Sequence, residues 1–362
     1  MILREKLDDL HYTFREIDGY GKDINCVVSP REPGKTTMMW LTKIYSPFTK
    51  DKCPWIYLVR HVVEITEALI ESIIDVNINK FCDDNVVAHY TKGSFSDGIV
   101  DVKITSKQFE TPIIFFRIVA LSIPLRRIKL AVLKNGKGSL MDEWIIDPKT
   151  GEKYIPNEWH KIKEAYTTWR RECNGRFKMY FLGNPYSLFN PVFMGLKVDV
   201  RKLRRGEFYV GDIFVIHWAT LKEELKKKLL ELNPLYKFDE EYTQYALEGV
   251  AINDANIKIG TLPRNFILMF VFKKDGRYLG IYENYSFDDE SGENFYCEEL
   301  ENVGKRREVY CYDFEELVER CMIITRADRD KFARFKRSLE KNSVLFSSSN
   351  VYYLIKEIYA FI

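Results

Sequence analysis

The sequence predicts an α/β protein in which a phosphate-binding loop heads a central, mostly parallel sheet and a smaller α/β unit follows. Three observations lead there. Ile24-Asn25-Cys26-Val27-Val28 is a short β-branched run that breaks at Ser29-Pro30. Gly34-Lys35-Thr36-Thr37 then opens an apolar, helix-compatible run from Met38 to Tyr45, so strand, tight loop, Gly-Lys-Thr and helix follow in P-loop order. The chain is 362 residues long, more than one typical core fills, so two domains are expected.

Composition narrows the classes. With 46% hydrophobic and 14% aromatic residues, the chain is a folded globular protein. Lys+Arg 55 against Asp+Glu 53 leaves a net charge of +2, so nucleic-acid contact must come from local basic clusters rather than a global field. The seven cysteines are odd in number and form no Cys-x-x-Cys pair, which speaks against a zinc site or disulfide framework and fits a reducing cytoplasm. The five histidines are dispersed and read as structural or surface residues. No apolar run reaches the length of a membrane span, and Met1–Lys6 does not read as a signal peptide.

The loop itself comprises Ser29, Pro30, Arg31, Glu32, Pro33, Gly34, Lys35, Thr36 and Thr37. Its chemistry needs backbone N–H groups and a helix N-terminus for a triphosphate, Lys35 for the β/γ oxygens, and the Thr36 hydroxyl for Mg²⁺. Ser29 stands where the consensus has its first Gly. Such a departure, with Arg31 two residues later, resembles the variant Walker A of viral terminase ATPases.

Before the loop, Tyr20 and Asn25 either border an adenine pocket or simply pack. After it, Trp55–Arg60 reads as a buried strand, and Ile65, Leu69, Ile73 and Val76 fall at helical spacing. Asn85–Tyr90, Ile99–Ser106 and Thr111–Leu121 are strands, which suits a nucleotide-binding core carrying an inserted hairpin. Ser139-Leu140-Met141-Asp142-Glu143 closes an apolar run on two acids, the form of a Walker B strand. Asp142 is then the metal-shell carboxylate and Glu143 the group that activates water. A helix is expected over Asn157–Arg171, then a strand over Arg176–Leu182. Asn184 stands at that strand's tip, in the position of a γ-phosphate sensor. Further on, Gly211–Trp218 reads as a strand, and Thr220-Leu221-Lys222-Glu223 as a capping box opening a helix.

Together with Tyr57–Arg60, the series Asp142-Glu143, Tyr154-Ile155-Pro156-Asn157-Glu158, Arg170-Arg171, Leu182-Gly183-Asn184 and Asn190-Pro191 resembles the genome-packaging ATPase of small, short-tailed, protein-primed bacteriophages. The similarity covers most of the chain. It implies an ASCE-type (additional-strand) ATPase domain over 1–205, a connection over 206–235, and an RNase H-like domain over 236–362. It further implies ATP and Mg²⁺ as cofactors, and Arg171 (or Arg170) as a finger reaching a neighbouring subunit's ATP. Arg31 would sit by the phosphates. The implied partners are double-stranded DNA, the portal of a procapsid and sister subunits in a pentameric ring, with a structural RNA as a further candidate. The implied place is a procapsid vertex in the cytoplasm of an infected bacterium. A translocase grips DNA of any sequence through phosphates. Arg126, Arg127, Lys129, Lys134 and Lys137 are the expected grip, with Arg201–Arg205 next.

In the C-terminal part, Phe266–Phe272 and Tyr278–Tyr282 flank Lys273-Lys274-Asp275-Gly276 as a hairpin. An RNase H-type nuclease needs an acid on its first strand, and Phe266–Phe272 has none, so a vestigial nuclease is expected. Two other readings stay open: a terminase with a live nuclease, and a nucleotide-binding scaffold on DNA or a capsid that does not hydrolyse.

Overall fold

A computed structural model of the protein describes residues 10–31, 33–147, 150, 152, 154–251, 257–274, 276–285, 294–304, 308–311, 317, 321–325, 328–341 and 343–359. Two compact units divide between Asn253 and Asp254.

The first unit is built on strands β1 (Ile24–Val28), β2 (Trp55–Val59), β3 (Val87–His89), β4 (Ile99–Ser106), β5 (Phe109–Ala120), β6 (Gly138–Asp142), β7 (Lys178–Gly183), β8 (Phe208–Val210) and β9 (Phe214–Trp218). They form one sheet in the order β3-β4-β5-β2-β6-β7-β1-β9-β8. The six strands from β5 to β9 in that order run parallel, and β3, β4 and β8 are antiparallel additions at the two edges. Both β1 and β2 are buried along their whole length, as a sheet covered on both faces requires. The expected inserted hairpin is β4–β5. Strand β7 lies between β1 and β6, so the Gly-Lys-Thr loop and Asp142 leave the same end of the sheet, one strand apart. That is the additional-strand arrangement.

Three sequence expectations change. The first unit runs past residue 205, because β8 and β9 complete its sheet and β9 pairs directly with β1. The segment 206–235 is therefore not a linker. The helix after it begins at Glu223 with Lys222 as N-cap and no side-chain cap, leaving Thr220 outside the helix. The helical segment after β2 buries Ile70, Ile73, Ile74 and Ile78, while Val76 is 54% exposed. Its second part, Ser72–Asn79, winds in wider π turns with i→i+5 bonding, which shifts the apolar stripe from the ordinary helical phase.

The second unit holds β10 (Lys258–Ile259), β11 (Phe266–Lys274), β12 (Arg277–Asn284), β13 (Phe295–Leu300), β14 (Val309–Cys311), β15 (Cys321–Ile323) and β16 (Val344–Phe346). Within its sheet the run β13-β12-β11-β14-β15 has antiparallel β11–β12–β13 and parallel β11–β14–β15. A meander of three strands extended by two parallel strands on the far side of the first is the RNase H-like order. Phe270 and Phe272 pack on Phe332 and Phe335 of the helix Arg329–Glu340, which covers one face. The expected hairpin is β11–β12; its Asp275 and the acidic run Asp288–Glu293 lie outside the described residues. Among the described residues, no helix is long and apolar enough to cross a membrane.

Candidate nucleotide site

Every strand that serves the site delivers its residue at the carboxyl end. Val28 ends β1, and the chain turns through buried Ser29 and Pro30, with the Ser29 N–H donating to the Gly183 carbonyl at 3.1 Å. Gly34 takes a left-handed φ of 69° immediately before the helical turn Lys35–Met38. A side chain there would be strained and would force its neighbour to move: a Cβ would meet the His11 ring at 2.6 Å. The N-terminal segment is fastened to the loop at the same place, with the Tyr12 N–H on the Pro33 carbonyl at 2.8 Å. Glu32 lies outside the described residues.

Lys35 is buried, and its Nζ donates to Asn184 Oδ1 at 2.7 Å. Thr36 Oγ1 donates to Asp142 Oδ2 at 2.7 Å. The fold thus brings Lys35 to Asn184 and Thr36 to Asp142, four of the residues the sequence marks as a candidate site. Thr37 takes a different partner, donating to Asn77 Oδ1 at 2.7 Å. Burial raises the Asp142 carboxyl above its ordinary range, with the nearby Lys35 charge opposing. Glu143 is also raised, first by loss of water around it and then by the Asp142 charge. Its backbone is left-handed, φ 52°, which is uncommon for a residue with a Cβ. At the end of β7, Gly183 leaves room for the neighbouring Trp144 indole, which a Cβ would meet at 2.7 Å.

Arg31 is exposed as a residue, yet its N–H donates to the Ala246 carbonyl at 2.9 Å and its guanidinium is engaged. Nη2 donates to Tyr186 Oη at 2.8 Å and Nε to Tyr245 Oη at 3.3 Å, and those two rings stack at 4.7 Å. Neither tyrosine carries a recognisable motif; their role depends on β7 and the helix Glu240–Ala246 meeting at the loop. Tyr20 rests on Phe208 at 5.0 Å, and the Asn25 amide donates to the Lys22 and Met179 carbonyls, so both have packing partners.

The remaining predicted residues lie away from this cluster. Arg171 is exposed in the last turn of the helix Glu158–Glu172, 3.2 Å from Glu172, while Arg170 pairs with Asp23 at 3.2 Å. Asp23 precedes β1, at the opposite end of the sheet from the P-loop. At 1.5 Å per residue, the helix carries Arg171 about 20 Å from Glu158. Arg171 therefore does not meet its own chain's P-loop.

The five basic residues split. Arg126 and Arg127 open the helix Leu125–Leu130 just beyond the carboxyl end of β5, with Arg127 4.0 Å from Asp97. Lys134 and Lys137 precede β6, at the sheet's other end, and Lys137 is ion-paired with Asp51. Lys129 is 3.0 Å from Glu164.

The fold and site define a P-loop protein of the additional-strand class, joined to an RNase H-like unit. No protein-family model matches the sequence, and a search of curated proteins finds no match. Solved structures do match. The chain is similar to the Phi-28 gp11 DNA packaging motor at 18% identity and a TM-score of 0.61, covering 98% of each chain. It is similar to the bacteriophage Phi-29 viral genome packaging motor assembly at 20% identity and a TM-score of 0.57, covering 97% of this chain and 100% of that one. Both likenesses span the two units, so the order of domains is shared as well as each fold.

Proposed function

We propose that this protein is the ATPase subunit of a phage genome-packaging motor, an ATP-driven translocase of double-stranded DNA. The observation that carries the reading is the meeting of Lys35, Thr36, Asp142 and Asn184 at one end of an additional-strand sheet, with Glu143 beside them. Full-length likeness to two packaging motors supports DNA as the cargo.

Mg²⁺ fits the donor set: a hydroxyl and a carboxylate, both hard oxygen donors, already lie within 2.7 Å of each other. Thr36 and Asp142 would hold it, and it would neutralise charge on the phosphate oxygens. Lys35 would bind the β/γ oxygens in exchange for its bond to Asn184, freeing the Asn184 amide to contact the terminal phosphate. Glu143, with a raised pKa, would take the proton of the attacking water. Arg31 would lie beside the phosphates, its guanidinium leaving the tyrosine pair. Arg171 would act on the nucleotide of the next subunit, a reading supported by its exposure and its distance from its own P-loop. The subunits would form a ring, a pentamer by the same resemblance, at the portal vertex of a procapsid in the infected cell's cytoplasm. A structural RNA is a further candidate partner. The domain limits we propose are 1–253 for the ATPase and 254–362 for the RNase H-like unit; β11, the first strand of that unit's antiparallel meander, bears no acid, which supports a unit that does not cut DNA.

DNA-stimulated ATP hydrolysis by the wild type and by Glu143→Gln tests the reading. Wild-type protein should hydrolyse ATP faster with DNA, and Glu143→Gln should bind ATP and not turn it over. Equal turnover by the two would refute it. Cleavage of a supercoiled plasmid by the full chain with Mg²⁺ or Mn²⁺, lost on an acidic substitution in the second unit, would restore the nuclease reading.

A further inference from the structure

One hydroxyl of the Gly-Lys-Thr turn has a partner that the proposed chemistry does not use. Thr37 Oγ1 lies 2.7 Å from Oδ1 of Asn77, on the helical segment after β2. That segment turns Ile70, Ile73, Ile74 and Ile78 inward, and Asn77 sits among them, 7% exposed. Burying an amide in an apolar stripe costs free energy unless both its ends are bonded. Both are, because Asn77 Nδ2 donates to the Ser72 carbonyl at 3.0 Å. The wide turns of Ser72–Asn79 make that contact: i→i+5 winding carries the Ser72 carbonyl over residue 77 rather than residue 76.

These partners fix the direction of the bond to Thr37. A carbonyl oxygen only accepts, so the amide nitrogen must face Ser72 and Oδ1 must face Thr37. Oδ1 also only accepts, which makes the Thr37 hydroxyl the donor. A hydroxyl has a single proton, and while Asn77 holds it Thr37 has none to offer a phosphate oxygen. Thr37 follows Thr36 in the first helical turn after Gly34, which runs on without a break into Met39–Tyr45 and would border the phosphates. Lys35 and Thr36 of the same turn pair with Asn184 and Asp142, residues with parts of their own in the chemistry. Asn77 carries no group that the chemistry needs.

We propose that Asn77 is a positioning residue that sets nucleotide affinity: it draws the Thr37 hydroxyl proton away from the phosphates, so that ATP or ADP must exchange this hydrogen bond for one of its own. The inference rests on the function proposed above. The exchange leaves the buried Asn77 Oδ1 without its donor, so both nucleotides are held less tightly. A subunit that turns over repeatedly must shed ADP in every cycle, and a weaker hold shortens that step.

The test uses the full chain with Asn77→Leu, Thr37→Val and the double variant. Leucine has the branching of asparagine and suits the isoleucine stripe, and it leaves the Thr37 hydroxyl able to donate elsewhere. Each variant is measured for melting temperature and for the affinity and release rate of a fluorescent ADP analogue, beside Lys35→Ala. Expected for Asn77→Leu is an ADP affinity about two- to tenfold tighter, the worth of one hydrogen bond, with slower release. The gain should vanish when the double variant is compared with Thr37→Val, because no hydroxyl is left to redirect. A purely structural role would not tighten binding. A folded Asn77→Leu with unchanged or weaker ADP affinity overturns the inference, and so does an equal gain with and without the Thr37 hydroxyl. If Asn77→Leu does not fold, Asn77→Ala takes its place in the same cycle; failure of both makes the contact a stability element and overturns the inference. Lys35→Ala binding the analogue as tightly as wild type would instead show that the nucleotide reading itself has failed.

Discussion

Replacing Gly34 by Ala probes the P-loop conformation directly. Alanine at φ 69° pays the left-handed penalty of about 1–2 kcal/mol. Its Cβ also falls 2.6 Å from His11 Cδ2, so the ring must move, at an overpacking cost of about 1–3 kcal/mol. Against these stands about 0.4–1 kcal/mol gained from a less flexible unfolded chain. The balance is a loss of about 2.5 kcal/mol, equivalent to about 5–10 °C of melting temperature in a unit of this size. The loop would escape part of that loss by rotating away from the left-handed well, which turns the following N–H groups off a bound phosphate. Thermal melts by circular dichroism and titration with a fluorescent ATP analogue should therefore both show a loss. The two cost terms separate in a double-mutant cycle, because His11→Ala removes the clash and leaves the φ penalty. About 1 kcal/mol of relief is expected in the Gly34→Ala background. If Gly34→Ala melts and binds like wild type, or if His11→Ala gives no relief, Gly34 is not in this conformation.

Mixing experiments address the finger: Arg171→Ala and Lys35→Ala subunits should each be poor ATPases alone, and mixed rings should recover activity at interfaces pairing an intact P-loop with an intact Arg171, with Arg170→Ala run in parallel. No recovery in any verified mixed ring would remove the trans role. For the DNA grip, Arg126→Ala/Arg127→Ala and Lys134→Ala/Lys137→Ala report on opposite ends of the sheet. The pair that contacts DNA should weaken binding equally for all sequences and flatten the salt dependence by about one unit of slope per lost phosphate contact, and unchanged slopes in both would redirect the search to Arg201–Arg205. The raised Glu143 pKa has a stability consequence as well. A carboxyl raised in the folded state contributes stability below its unfolded pKa and loses it as pH rises through the folded value. Nucleotide-free Glu143→Gln should therefore melt above wild type at neutral pH, with the gap closing as pH falls through that raised value; a gap independent of pH would contradict the shift.

Much of the candidate site was legible locally. The β-branched run 24–28, the Gly-Lys-Thr turn, and an apolar run closing on Asp142-Glu143 are each short, and short-range sterics and patterning suffice to read them. The strands over 99–106 and 55–59 and the helix over 158–172 stand where their patterns put them, within a residue or two. Pairing was not legible. Lys35 and Asn184 are 149 residues apart and Arg60 and Glu158 are 98 apart, so their contacts exist only because β7 inserts between β1 and β6 and the helix Glu158–Glu172 starts beside the end of β2. The domain limit shifted for the same reason: β8 and β9 look like any exposed-to-buried strand pair until β9 is seen to bond to β1. Tyr186 and Tyr245 bear no motif, and become partners of Arg31 only by stacking at the loop. Residue types set which chemistry the chain can perform, whereas sheet order decided which of those residues meet, because a strand's neighbours are chosen by burial of the whole sheet and not by anything local to the strand.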